Sequence, residues 1–162
     1  MNDYVSLLRG INVGGRMVKM ADLKDCYESI GFSEVKTVLQ SGNVTFTTNI
    51  YDSMALEEKL EEAVTKRFNY NAKIFVISVE NMRLILRNYP YDASDETYQH
   101  YIIFIRPEMA EQLYEQGSNL KSDMDEITLG NNVIYWKVNK GSTTQSPFSK
   151  LLGKNVSSYL RN

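Results

Sequence analysis

The stretch VKTVLQSGNVTFTT, residues 35–48, reads as two short strands around a hairpin turn. Val35 to Gln40 and Val44 to Thr48 are rich in β-branched residues, which suit extended backbone. Between them, Gln40-Ser41-Gly42-Asn43 supplies a glycine and an asparagine, both able to take positive φ. What flanks this hairpin decides the fold. Upstream, Leu23, Cys26, Tyr27 and Ile30 recur at helical spacing, and Gly31 stops the helix. Before that helix, Tyr4 to Arg9 is a short, mostly apolar strand. Downstream, Leu56, Leu60, Val64 and Phe68 line one face of a second helix. Ile74 to Val79 is a near-continuous apolar run, the mark of a buried strand. The order is β-α-β-β-α-β, the split pattern of a ferredoxin-like half.

A short helix is expected over Glu80 to Asn88, with Met82, Ile85 and Leu86 inward. Tyr89-Pro90-Tyr91 ends it, because the residue before a proline avoids helix. The chain is polar and turn-rich through Thr97, which places the internal boundary near residue 90. A new strand then runs from Tyr101 to Ile105, and Pro107 opens a helix carrying Met109 and Leu113. Glu126 to Leu129 and Val133 to Val138 flank the hairpin signal Gly130-Asn131-Asn132. Ser146-Pro147 starts a helix with Phe148, Leu151 and Leu152, and Gly153 follows. A last strand is expected near Val156 to Leu160. The fold class is α+β: two ferredoxin-like halves in tandem, 1–90 and 91–162, with antiparallel sheets and packed helices. The repeated element order reads as a structural duplication.

Composition narrows the function classes. Hydrophobic residues make up 43% and charged residues 23% of the 162, as in an ordinary globular protein. No apolar run approaches the length of a membrane span, and the N-terminus lacks a signal-peptide pattern. The single cysteine, Cys26, rules out an internal disulfide framework and fits a reducing compartment, so a cytoplasmic location is expected. The net charge of −2 provides no general attraction for nucleic acid. Charge is unevenly spread, however: no acidic residue follows Glu126, while Lys137, Lys140, Lys150, Lys154 and Arg161 do. The acidic groups Glu57, Glu58, Glu61, Glu62 and Glu108, Glu111, Glu115 read as solvated helix faces.

The connection after the first strand is the best functional lead. RGINVGGRMVKM, residues 9–20, puts about ten residues where Arg106-Pro107 joins the equivalent elements of the second half directly. Gly10, Gly14 and Gly15 could form a close-fitting cradle, with Arg9, Arg16 and Lys19 supplying charge and Asn12 capping the loop or facing a ligand. The following helix N-terminus favours anions. A well-packed surface turn with solvated cations explains the same residues. The stretch is neither a Walker A loop nor a dinucleotide fingerprint.

YVSLLRGINVGG (residues 4–15), Met20-Ala21-Asp22-Leu23, Gly31-Phe32 and Gln40-Ser41-Gly42-Asn43-Val44 closely resemble the uncharacterised bacterial family DUF1697. The resemblance implies a bacterial cytoplasmic α+β protein with ferredoxin-like halves, and it carries no established activity. It also gives Gln40, Ser41 and Asn43 the standing of a second signature beside the loop. Where the family carries an Arg-Ser-Lys segment, this chain has Thr143-Thr144-Gln145-Ser146-Pro147. Family chains continue into a final helix, so the C-terminal half is expected to be shortened at its end.

Other chemistry is sparse. His100, the only histidine, reads as structural or at the surface, and it has no evident zinc partner. Cys26 lies on an apolar helix face as an inert core thiol. Tyr89, Tyr91, Tyr98 and Tyr101 either wall a cleft or pack the junction. No metal site or cofactor is indicated, and the oligomeric state is open. Three functional readings remain. The first is a binding module for an anionic, phosphorylated or nucleotide-like small molecule at Arg9, Gly10, Asn12, Gly14, Gly15, Arg16 and Lys19, with Gln40, Ser41 and Asn43 beside it. The second is an enzyme that stabilises negative charge through arginine and lysine on a phosphate or carboxylate substrate. The third is an RNA-binding sheet on which Tyr4 and Phe46 stack bases. The first is favoured.

Overall fold

A computed structural model describes residues 1–40 and 42–159. The fold is α+β, with two antiparallel sheets and five helices among these residues. Two compact units divide the chain, one from Met1 to Arg83 and the other from Leu84 onward.

The first unit runs β1 (Asn2–Arg9), α1 (Met20–Ser29), β2 (Ser33–Val38), β3 (Asn43–Thr48), α2 (Ser53–Phe68) and β4 (Lys73–Ser78). Its sheet order is β2-β3-β1-β4. Alternation decides which face of each strand is buried. Tyr4, Ser6 and Leu8 of β1 turn inward with Val44 and Phe46 of β3 and Ile74 and Val76 of β4. Leu23, Cys26 and Tyr27 of α1 and Leu56, Leu60 and Val64 of α2 complete this core. Each of the large apolar side chains contributes about 1.5–3 kcal/mol by leaving water. Ser6 sits in this core at 0% exposure because its hydroxyl donates to the Val44 carbonyl and accepts from the Tyr27 phenol at 2.8 Å. Asp52 caps α2 through the Met54 N–H, and Asn69 ends it at φ 52.

β4 is an edge strand, and α2 covers its open side. Glu61 accepts from the Ile74 N–H at 2.9 Å, and Glu57 accepts from the Val76 N–H at 3.0 Å. The helix spacing of four matches the strand spacing of two, so two carboxylates satisfy two outward N–H groups. Glu57 and Glu61 are therefore more than solvated helix charges. Replacing Glu61 by alanine should cost about 1–3 kcal/mol, because it leaves a partly buried N–H unpaired. Urea denaturation checks this; an unchanged midpoint would show that water replaces the carboxylate freely.

Helix α3 (Val79–Arg87) follows β4 without a loop, and the division between the units falls within it. The Ser78 hydroxyl, at the end of β4, accepts from the Asn81 N–H and caps α3. Met82 and Ile85 are half-buried, but Leu86 is 56% exposed, which corrects its expected inward placement. The second unit continues as β5 (Tyr98–Phe104), α4 (Pro107–Ser118), β6 (Asp125–Leu129), β7 (Val133–Asn139) and α5 (Pro147–Tyr159). The sheet order is β5-β7-β6. Ile134, Trp136 and Val138 pack with Leu113, Phe148 and Leu152. β5 begins at Tyr98, earlier than expected, because β7 extends to Asn139 and pairs with it there.

The expected last strand is corrected over 156–159, which belong to α5. Ser146 caps this helix by accepting from the Ser149 N–H, and Gly153 lies inside it without a positive φ. A glycine inside a helix costs about 1 kcal/mol and need not stop it. Leu160 lies outside the described residues.

Candidate functional site

The chain leaves β1 at Arg9 and turns at Gly10, whose φ of 68° belongs to the left-handed region. Ile11 then plugs into the core at 3% exposure. Asn12 works as a staple: its side-chain amide donates to the Gln40 carbonyl at 3.0 Å, and its oxygen accepts from the Val18 N–H at 2.8 Å. Val18 is buried at 5%. The ends of the loop are thus fixed, while Val13 to Met17 lie exposed between them. Gly14 and Gly15 both take positive φ in this arch.

The end of β1 meets the hairpin through its backbone. The Leu8 N–H donates to the Gly42 carbonyl at 3.1 Å. A Cβ on Gly42 would stand 2.8 Å from Ile11 Cγ2 and 3.0 Å from Leu8 Cβ, so a larger residue forces its neighbours to shift. Positive φ falls on Leu39 (58°) and Gly42 (77°), not on Asn43, which is already in β3 opposite Leu7. Gln40 contributes its carbonyl, and Ser41 lies outside the described residues.

On its other side the loop faces the start of β4. Arg9 pairs directly with Lys73 in the β1–β4 ladder, so two cations share one end of the sheet. Lys73 is bridged to Glu61 at 3.1 Å. Arg9 and Arg16 have no carboxylate partner among the described residues. The Arg16 guanidinium lies over the Tyr70 ring, 4.6 Å from its centroid. A shallow cavity of about 430 Å³ opens here, lined by Arg9, Gly10, Val13 and Arg16 from the loop side and Tyr70, Asn71 and Lys73 from the other. Tyr70 is buried, its hydroxyl has no partner among the described residues, and burial raises its pKa against the opposing effect of Arg16.

Arg9, Gly10 and Arg16 therefore line a common cavity. Asn12 holds the loop, Lys19 is exposed at the start of α1 outside the lining, and Gln40 and Asn43 belong to the hairpin side. The sequence reading missed Tyr70, Asn71 and Lys73. Their signal is topological: in the order β2-β3-β1-β4, the start of β4 must lie beside the end of β1.

A family model described as a protein of unknown function, DUF1697, matches residues 1–135. The chain belongs to the DUF1697 family. Among solved structures, it is similar to the conserved bacterial protein SP0830 from Streptococcus pneumoniae. The two are 26% identical with a TM-score of 0.77, over 95% of this chain and 86% of that one. No curated protein matches the sequence.

Elsewhere in this DUF1697 chain, the other candidate groups have structural partners. Tyr4 and Phe46 are buried at 3% and 1% and stack on each other beneath the helices. They cannot stack bases, which overturns the RNA-binding reading built on them. Cys26 is buried at 2%, and burial pushes its thiol pKa up, as expected for an inert core thiol. His100 uses both ring nitrogens. Nε2 donates to the Asp95 carbonyl at 3.1 Å, so Nδ1 is the acceptor for the Tyr89 hydroxyl at 2.7 Å. Tyr91 bonds Thr128 at 2.7 Å, and Lys137 lies over the rings of Tyr91 and Tyr98. Among the described residues, no helix is long and apolar enough to cross a membrane.

Burial pushes the Tyr91 phenol from 10.0 to about 12, with the Thr128 bond opposing part of the rise. The folded state thus favours the neutral phenol. Its stabilising contribution should be complete below pH 10 and lost as the pH rises toward 12. Tyr91→Phe should flatten that alkaline loss in a melting-temperature profile; an unchanged slope would assign it to other groups.

Proposed function

We propose that this DUF1697 protein binds an anionic, phosphorylated small molecule in the cavity between the 9–20 loop and the start of β4. The supporting observation is the cation arrangement. Arg9 and Lys73 stand side by side in the ladder, a like-charge placement that costs stability. Arg16 adds a third cation at the same cavity, and among the described residues only Glu61, bound to Lys73, offsets them. An anion is the natural complement. Arginine grips phosphate or carboxylate through two donors. The loop is pinned at Ile11, Asn12 and Val18, which limits how far its backbone must order when a ligand arrives.

The same reading takes the two units as ferredoxin-like halves of a duplication. The β-α-β-β-α order occurs in both, and a strand closes the first. Only the first copy carries the long connection, so the ligand belongs to that copy alone.

The test is a thermal-shift screen of inorganic phosphate, phosphorylated metabolites, nucleotides and short RNA. Stabilisation by phosphorylated compounds that weakens with salt supports the reading. No shift with any phosphorylated compound would sink it.

A further inference from the structure

We infer that the ligand of this cavity is a purine nucleotide, its phosphate held by Arg9 and its base laid on Arg16; this rests on the anion-binding reading above. Three features sit within one cavity, two of them matching the base of such a molecule and one its phosphate. The first is planar. Arg16 covers one face of Tyr70 at 4.6 Å from the ring centroid. Tyr70 is only 8% exposed, so it backs the guanidinium, while Arg16 itself is exposed. A guanidinium plane supported in this way is a stacking surface for an aromatic base. The second is an amide. Asn71 is exposed beside Tyr70, lines the same cavity, and has no hydrogen bond among the described residues. A side-chain amide places a donor and an acceptor together, as the edge of adenine does. The third is charge. Arg9 has no counter-ion among the described residues, whereas Lys73 beside it has one in Glu61. An ion such as inorganic phosphate would use the charges of Arg9 and Arg16 but neither the stacking plane nor the amide. The cavity of about 430 Å³ has room for base, sugar and phosphate together.

Calorimetric titration of the full chain with AMP, ribose 5-phosphate, adenosine and inorganic phosphate tests this. AMP should bind about tenfold more tightly than ribose 5-phosphate, the factor that base stacking supplies. Arg16→Lys keeps the charge and removes the plane, and Asn71→Ala removes the amide. Each should shrink the preference for AMP over ribose 5-phosphate toward equality, the ratio of the two affinities being the readout. Equal affinity for AMP and ribose 5-phosphate would overturn the nucleotide assignment and leave the anion site standing. No binding by any of the phosphorylated probes would overturn both.

Discussion

Replacing Arg9 and Arg16 together by alanine is expected to abolish phosphate-dependent thermal stabilisation while leaving the unliganded protein folded. A hydrogen bond to a charged group contributes about 1.5–3 kcal/mol. Losing two such grips should weaken binding by about a hundredfold or more. The fold has little stake in either side chain. Arg9 is exposed and faces Lys73, so its removal relieves repulsion. Arg16 contributes its contact with Tyr70, about 0.5–1 kcal/mol for an exposed cation on a ring. The unliganded melting temperature should therefore move by only about 2 °C. Circular dichroism melts with and without phosphate separate the outcomes. A double variant that unfolds at room temperature would make the two arginines structural and remove the basis of the binding reading.

Gly42→Val should produce a large stability loss, well beyond that of a change in the exposed arch of the loop. Its φ of 77° strains any residue with a side chain. Its Cβ position also lies 2.8 Å from Ile11 and 3.0 Å from Leu8. Left-handed strain costs about 1–3 kcal/mol, and overpacking costs a similar amount. The combined loss should be about 3 kcal/mol. Gly14→Ala is the internal control: its φ is 68°, but the added carbon meets nothing within 4 Å, so only the strain remains. Denaturant titrations of both variants should separate them clearly. Equal losses would mean that Ile11 and Leu8 simply move aside.

The elements of the first unit were legible because their periods are clean. Val44 and Phe46 alternate with Thr45 and Thr47, and Leu56, Leu60 and Val64 fall on one helical stripe. Residues 156–159 misled because a short stretch of mixed apolar and polar residues suits helix and strand equally. The long loop was recognisable from its glycines and cations, but its construction was not. Asn12 reaches Gln40, 28 positions away, and such a bond depends on strand register. Tyr70 and Lys73 stayed hidden for the same reason: their place beside Arg9 follows from the pairing of β1 with β4, not from any local pattern. Phe46 suggested the wrong partner because residue type alone does not tell which face of the sheet it occupies.

The two carboxylates on the margin of β4 also bear on how the chain reaches its native state. Until α2 docks, the N–H groups of Ile74 and Val76 are free to recruit a strand from another molecule. When it docks, Leu56, Leu60 and Val64 close the core in the same movement that brings Glu57 and Glu61 to the margin. Core closure and resistance to aggregation are thus one event. The vulnerable interval during folding lasts only as long as α2 stays undocked, and a change that slows its docking would lower soluble yield even where the final stability is unaltered.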